Sequence, residues 1–180
     1  MRNKLAALAL LTSACLSASA MADDGKINFI GNIIESGCEV NSTISSPMTV
    51  KLGDVAKTAF TNAGDTAANT EFTLVLSNCP TELQGKPVVV KYDGTPDQTN
   101  NDYLQLTDYG SATAASGVAI QLLNASGTEL PLGNSSESTV IAASGDTKLN
   151  FFARYIATTA VANITSGTAN GSVNFTLSYN

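Results

Sequence analysis

Apolar residues recur at every second position along much of this chain, and no long segment shows a helical period. A chain patterned this way is driven to strands, because alternation sends one set of side chains inward and the other to solvent. The two clearest runs lie near the two ends of the sequence. In the first, Gly25, Ile27, Phe29, Gly31 and Ile33 share a face, with Lys26 and Asn28 between them. In the second, Val173, Phe175, Leu177 and Tyr179 share a face, and Asn174, Thr176 and Ser178 take the other.

The residues before the first run read as a secretory signal peptide over 1–22. Arg2 and Lys4 give a basic start, residues 5–11 an apolar stretch too short to span a bilayer, and Ala20-Met21-Ala22 a small-x-small cleavage site. A lipoprotein signal around Cys15 is the rival reading, but Thr12 stands where such signals want leucine. Cleavage removes two of the nine basic residues and none of the fifteen acidic ones, leaving seven against fifteen, a net of −8. No basic run remains, which argues against a nucleic-acid partner. No apolar run approaches the ~20 residues of a membrane-spanning helix.

Further strands are expected at 32–43, at 47–53 (where Met48, Val50 and Leu52 alternate), at 71–78, 87–92 and 103–106. Others follow at 117–124, at 129–132 after a Ser126-Gly127 turn, at 148–158 and at 172–179. Residues 63–69, 94–102 and 133–146 are small and polar and read as loops. Asn170-Gly171 looks like a hairpin turn, yet a long strand must start just after it, so Gly171 is read as a bulge or kink. Seven or more short strands with frequent turns and no helix suggest one domain, an antiparallel sandwich of immunoglobulin type. There is no tryptophan for the antibody-type core.

The chemistry of catalysis is thin. Without histidine there is no Ser-His-Asp or Cys-His pair. No glycine-rich loop opens a helix, so no phosphate cofactor is expected. Asp93, Asp97 and Asp102 are the best carboxylates for a glycosidase, but they read more simply as solvated loop residues, and their spacing does not match an EF-hand. Past the leader two cysteines remain, Cys38 and Cys79. In an exported chain they read as one disulfide closing about 40 residues, worth about 4 kcal/mol on the chain-entropy argument. Two free thiols are the alternative; two thiols without histidine make a poor zinc site.

Several features together resemble the pilin subunits of chaperone–usher fimbriae, the type 1 pilus-like group. An alternating stretch, 25–33, leads into Cys38, and Cys79 follows a strand in Leu76-Ser77-Asn78-Cys79. Phe152-Ala153-Arg154-Tyr155 precedes the final strand, Gly167 is fourteenth from the C-terminus, and Tyr179 is penultimate. The resemblance implies an incomplete immunoglobulin-like sandwich lacking its seventh strand (residues 35–180), preceded by a donor-strand extension (residues 23–34). It implies that Gly25, Ile27, Phe29, Gly31 and Ile33 enter the groove of a neighbouring subunit. Gly167, Val173, Phe175, Leu177, Tyr179 and Asn180 would form this subunit's own acceptor groove and its contact with a periplasmic chaperone. An outer-membrane usher would then exchange chaperone for neighbour, and the fimbria would stand on the cell surface and support adhesion. A single pilin domain suits a major shaft subunit; a minor or adaptor subunit is the nearest alternative. From a different class, a free-standing sugar-binding sandwich would use Tyr92, Tyr103 and Tyr109.

Overall fold

The computed structural model describes residues 26–31, 33, 34 and 36–180. The leader expected at 1–22 and the positions Gly25 and Asn32 of the first run lie outside them. The chain divides into two units, and the fold belongs to the second, Ile34–Asn180.

That unit is built from seven strands in two antiparallel sheets. The first sheet holds β1 (Glu39–Val40), β2 (Thr66–Ser77), β6 (Thr147–Ala157) and β4 (Val118–Asn124), in the order β1-β2-β6-β4. The second holds β5 (Thr139–Val140), β3 (Pro87–Asp93) and β7 (Asn174–Tyr179), in the order β5-β3-β7. Three single-turn 3-10 segments, Lys57–Ala59, Thr81–Leu83 and Val161–Asn163, are the only helical pieces among the described residues.

Alternation explains the layering. Val88, Val90 and Tyr92 of β3 point inward, against Leu74 and Leu76 of β2, Ile120 and Leu122 of β4, and Leu149 and Phe151 of β6. The two sheets thus close on one core, with Leu76 wholly buried. The Tyr92 ring meets Phe151 edge-on at 5.4 Å and Phe72 at 6.3 Å, the T-shaped geometry that the ring quadrupole favours. Cys38 and Cys79 form the disulfide, which pins the start of β1 beside the end of β2.

Several expected elements came out differently. The strand foreseen at 32–43 is reduced to Glu39–Val40. At 103–106 there are only isolated bridges, from Leu104 to Pro96 and to Ile120, and 129–132 keeps only the bridge of Glu129 to Leu123. Conversely, β2 begins at Thr66, inside the expected loop 63–69. Thr66 and Ala67 pair with Ile156 and Tyr155 across a register shift where Ala68 takes φ 60°. The loop 133–146 contains β5 and buries Ser136 and Ile141. The last strand starts at Asn174, and Gly171 is neither turn nor bulge. It is a close approach: a Cβ there would lie 2.5 Å from Ile120 Cδ1.

Candidate functional site

Strand β7 is the focus. It pairs with β3 from Val88↔Tyr179 to Asp93↔Asn174, and among the described residues no ladder is formed on its other edge. With β3 and β7 in the C and F places of an immunoglobulin C-F-G sheet, no described strand takes the place of G. The free edge therefore has room for one further strand, and it leaves a row of β7 N–H and C=O groups without a ladder partner among the described residues. Along it, Val173, Phe175, Leu177 and Tyr179 are half-buried and pack against the core, while Asn174, Thr176 and Ser178 are exposed. The same side chains that alternation grouped in the sequence thus form one apolar stripe, partly open to solvent.

A second stripe was legible as a strand but not as part of a site. Met48, Val50 and Leu52 are half-buried, Thr49 and Lys51 exposed, and Met48 and Leu52 pack on the core. Yet no strand is formed there. Period two without a ladder is what an edge segment shows when its partner is missing.

Near the residues that lead into β7 is a cleft of about 430 Å³ lined by Val55, Phe60, Val118, Tyr155, Ile164 and Gly167, among others. The Tyr155 hydroxyl donates to the Ala169 carbonyl at 2.9 Å. Burial raises the pKa of that hydroxyl, and the charge of Asp54 raises it further. Gly167 sits on the backbone of residues 113–115, where a Cβ would come within 2.5 Å of Ala115 N and Thr113 O. At the other end of β7, the Cys38 N–H donates to the Tyr179 hydroxyl at 3.1 Å, and the Asn180 N–H donates to the Pro87 carbonyl at 3.0 Å.

The first unit is described by itself. Lys26–Gly31 and Ile33 have no assigned helix or strand, and the side chains of Ile27, Phe29 and Ile33 are 79%, 93% and 103% exposed. Large apolar groups at regular alternation, fully in water, are costly unless something covers them.

The carboxylates proposed for hydrolysis do not converge on a reacting centre. Asp97 is buried rather than solvated; its Oδ1 accepts the Thr99 N–H at 2.9 Å and the Thr99 hydroxyl, an Asx-type turn. Asp93 lies 3.7 Å from Lys91 Nζ on the surface, and Asp102 is exposed. Nor do the three tyrosines share a sugar-binding face, since Tyr92 is in the core while Tyr109 is 47% exposed. No cluster of three metal-ligating side chains occurs among the described residues.

The family model for fimbrial proteins matches residues 27–180. The type-1 fimbrial protein A chain of Salmonella typhi is 32% identical, over 99% of this chain and 97% of that protein. The probable major fimbrial subunit LpfA of Escherichia coli O157:H7 is 34% identical, over 97% and 93%. Among solved structures, a Burkholderia pseudomallei antigen and type I fimbria protein is 38% identical with a TM-score of 0.59, covering 86% of this chain and 97% of that one. The P pilus rod subunit PapA, at 21% identity, shares the fold with a TM-score of 0.64 over 81% of this chain and 100% of its own.

Proposed function

The chain belongs to the fimbrial protein family as a structural pilus subunit, and we propose that it polymerises by lending residues 23–34 to the open edge of a neighbouring copy. The observation that carries this reading is the free edge of β7 with its half-open apolar stripe. An incoming strand supplies two things that edge lacks, ladder hydrogen bonds and side-chain anchors. Ile27, Phe29 and Ile33 are such anchors; burying them is worth about 5–9 kcal/mol at ~1.5–3 each, as much as a whole domain's stability. Residues 25–33 extended at ~3.3 Å each reach about 30 Å, more than the length of β7. Gly25 and Gly31 continue the alternation. Without a side chain, Gly31 would let the backbone of another copy approach closely. A head-to-tail contact of this kind does not close on itself, and it propagates into a fibre.

The same open edge makes a lone subunit prone to wrong pairing. We propose that the leader over residues 1–22 sends the chain to the periplasm, and that a chaperone there covers the edge and holds the Asn180 carboxylate. An outer-membrane usher then exchanges the chaperone for the next copy's extension. The single sandwich suits the shaft.

Phe29→Asp tests the assignment. The variant subunit is expected to fold and to be captured by its chaperone, because its own groove is intact, yet to form no polymer. Fibres of normal length from the variant, seen by electron microscopy, would remove Phe29 from the donated face.

A further inference from the structure

Tyr179 stands in two places at once. Its ring is the last member of the stripe along the open edge, half-buried and packed on the core. Its hydroxyl accepts the backbone N–H of Cys38 at 3.1 Å, and Gly37 lies so close that a Cβ there would be 3.0 Å from that oxygen. Cys38 is where the chain enters the sandwich: the disulfide to Cys79 fixes it on one side, and β1 begins at the next residue. The residues before it lead out to the extension. The site that receives a strand and the root of the strand to be given are thus joined by one side chain, across 141 positions of sequence.

We infer that Tyr179 is a positioning residue for assembly, coupling occupation of the groove to the order of the backbone at Cys38, which follows the extension in the chain. The inference rests on the donor-strand reading above. With the groove open, the Tyr179 ring is only half-buried. A strand laid against β7 covers the rest and restricts the ring. It also excludes water from the hydroxyl, and a hydrogen bond shielded from water is the stronger for it. The Cys38 amide is then held in one orientation. Gly37 is part of the device, since a Cβ there would press on the hydroxyl that reaches the amide and push it aside by a few tenths of an ångström. Filling the groove would thus tighten the backbone at Cys38.

The test uses the chain from residue 23 to Asn180 and a synthetic peptide of residues 23–34, with two readouts. Melting temperature reports strand binding, and amide hydrogen exchange at Cys38, followed by NMR, reports the coupling. In the wild type the peptide should raise the melting temperature and slow exchange at Cys38 at least tenfold. Tyr179→Phe keeps the ring and removes the hydroxyl. It should still show the rise in melting temperature, while the peptide-dependent slowing at Cys38 is lost. Gly37→Ala reaches the same bond from the other side with Tyr179 intact, and should lose the slowing likewise. If Cys38 in Tyr179→Phe or Gly37→Ala responds to the peptide as in the wild type, or if wild-type Cys38 does not respond while the melting temperature rises, the coupling is wrong and the groove reading survives. If the peptide changes the melting temperature of none of them, the groove reading fails and takes the coupling with it.

Discussion

Tyr92 carries a hydroxyl that none of its described neighbours uses. The ring is 2% exposed and ringed by Phe72, Phe151 and Phe175, while the oxygen is buried with no hydrogen-bond partner. Desolvation raises its pKa, since a phenolate has nothing there to stabilise it. A buried polar group without a partner costs about 1–3 kcal/mol, so Tyr92→Phe is expected to leave stability unchanged or raise it by about 1 kcal/mol. Thermal unfolding of the variant checks this; a fall in melting temperature would show that the hydroxyl has a partner after all. The sequence offered two readings of this residue. As a tyrosine it joined a possible sugar-binding face, while as the last residue of the apolar strand expected at 87–92 it belonged to the sandwich. The pattern was the better guide, because burial follows the face of the strand and not the polarity of one atom.

The segments between strands behave less simply. Residues 164–170 carry no long strand, yet they are tied down by the Ala115 N–H to the Thr168 carbonyl at 2.9 Å and the Thr168 N–H to the Thr113 carbonyl at 2.8 Å. Gly167 allows that approach. Gly167→Ala should therefore cost about 1–3 kcal/mol of stability, because the obstacle is backbone, which cannot swing aside as a side chain can. A melting temperature equal to the wild type, with only strand binding impaired, would instead make Gly167 purely a groove residue. Sequence placed this glycine near the groove by resemblance alone; its spacing carries no sign of the backbone it rests on. The start of β2 was hidden for a related reason. Thr66, Ala67 and Asn69 are small or polar and look like a loop, and only their partners on β6 make them a strand.

For the molecule as a whole, the disulfide closes one sheet and also anchors the root of the extension. Replacing Cys38 and Cys79 together by serine should lower stability by about 2–4 kcal/mol, seen as a lower denaturant midpoint. An unchanged midpoint would mean that the bridge constrains little in the unfolded chain. The alternating run that becomes β7, the cysteine pair and the all-β class were readable in the sequence, because period two and residue type are local properties that fix which face of a strand is apolar; the run at 25–33 forms no strand among its described residues. That Met48, Val50 and Leu52 form no ladder, that β7 ends its sheet, and that Tyr179 reaches Cys38 were decided by tertiary structure alone. A strand's pattern says which side it buries, but whether its hydrogen-bonding edge is filled depends on what lies beside it, and that neighbour is set by the path of the chain through space.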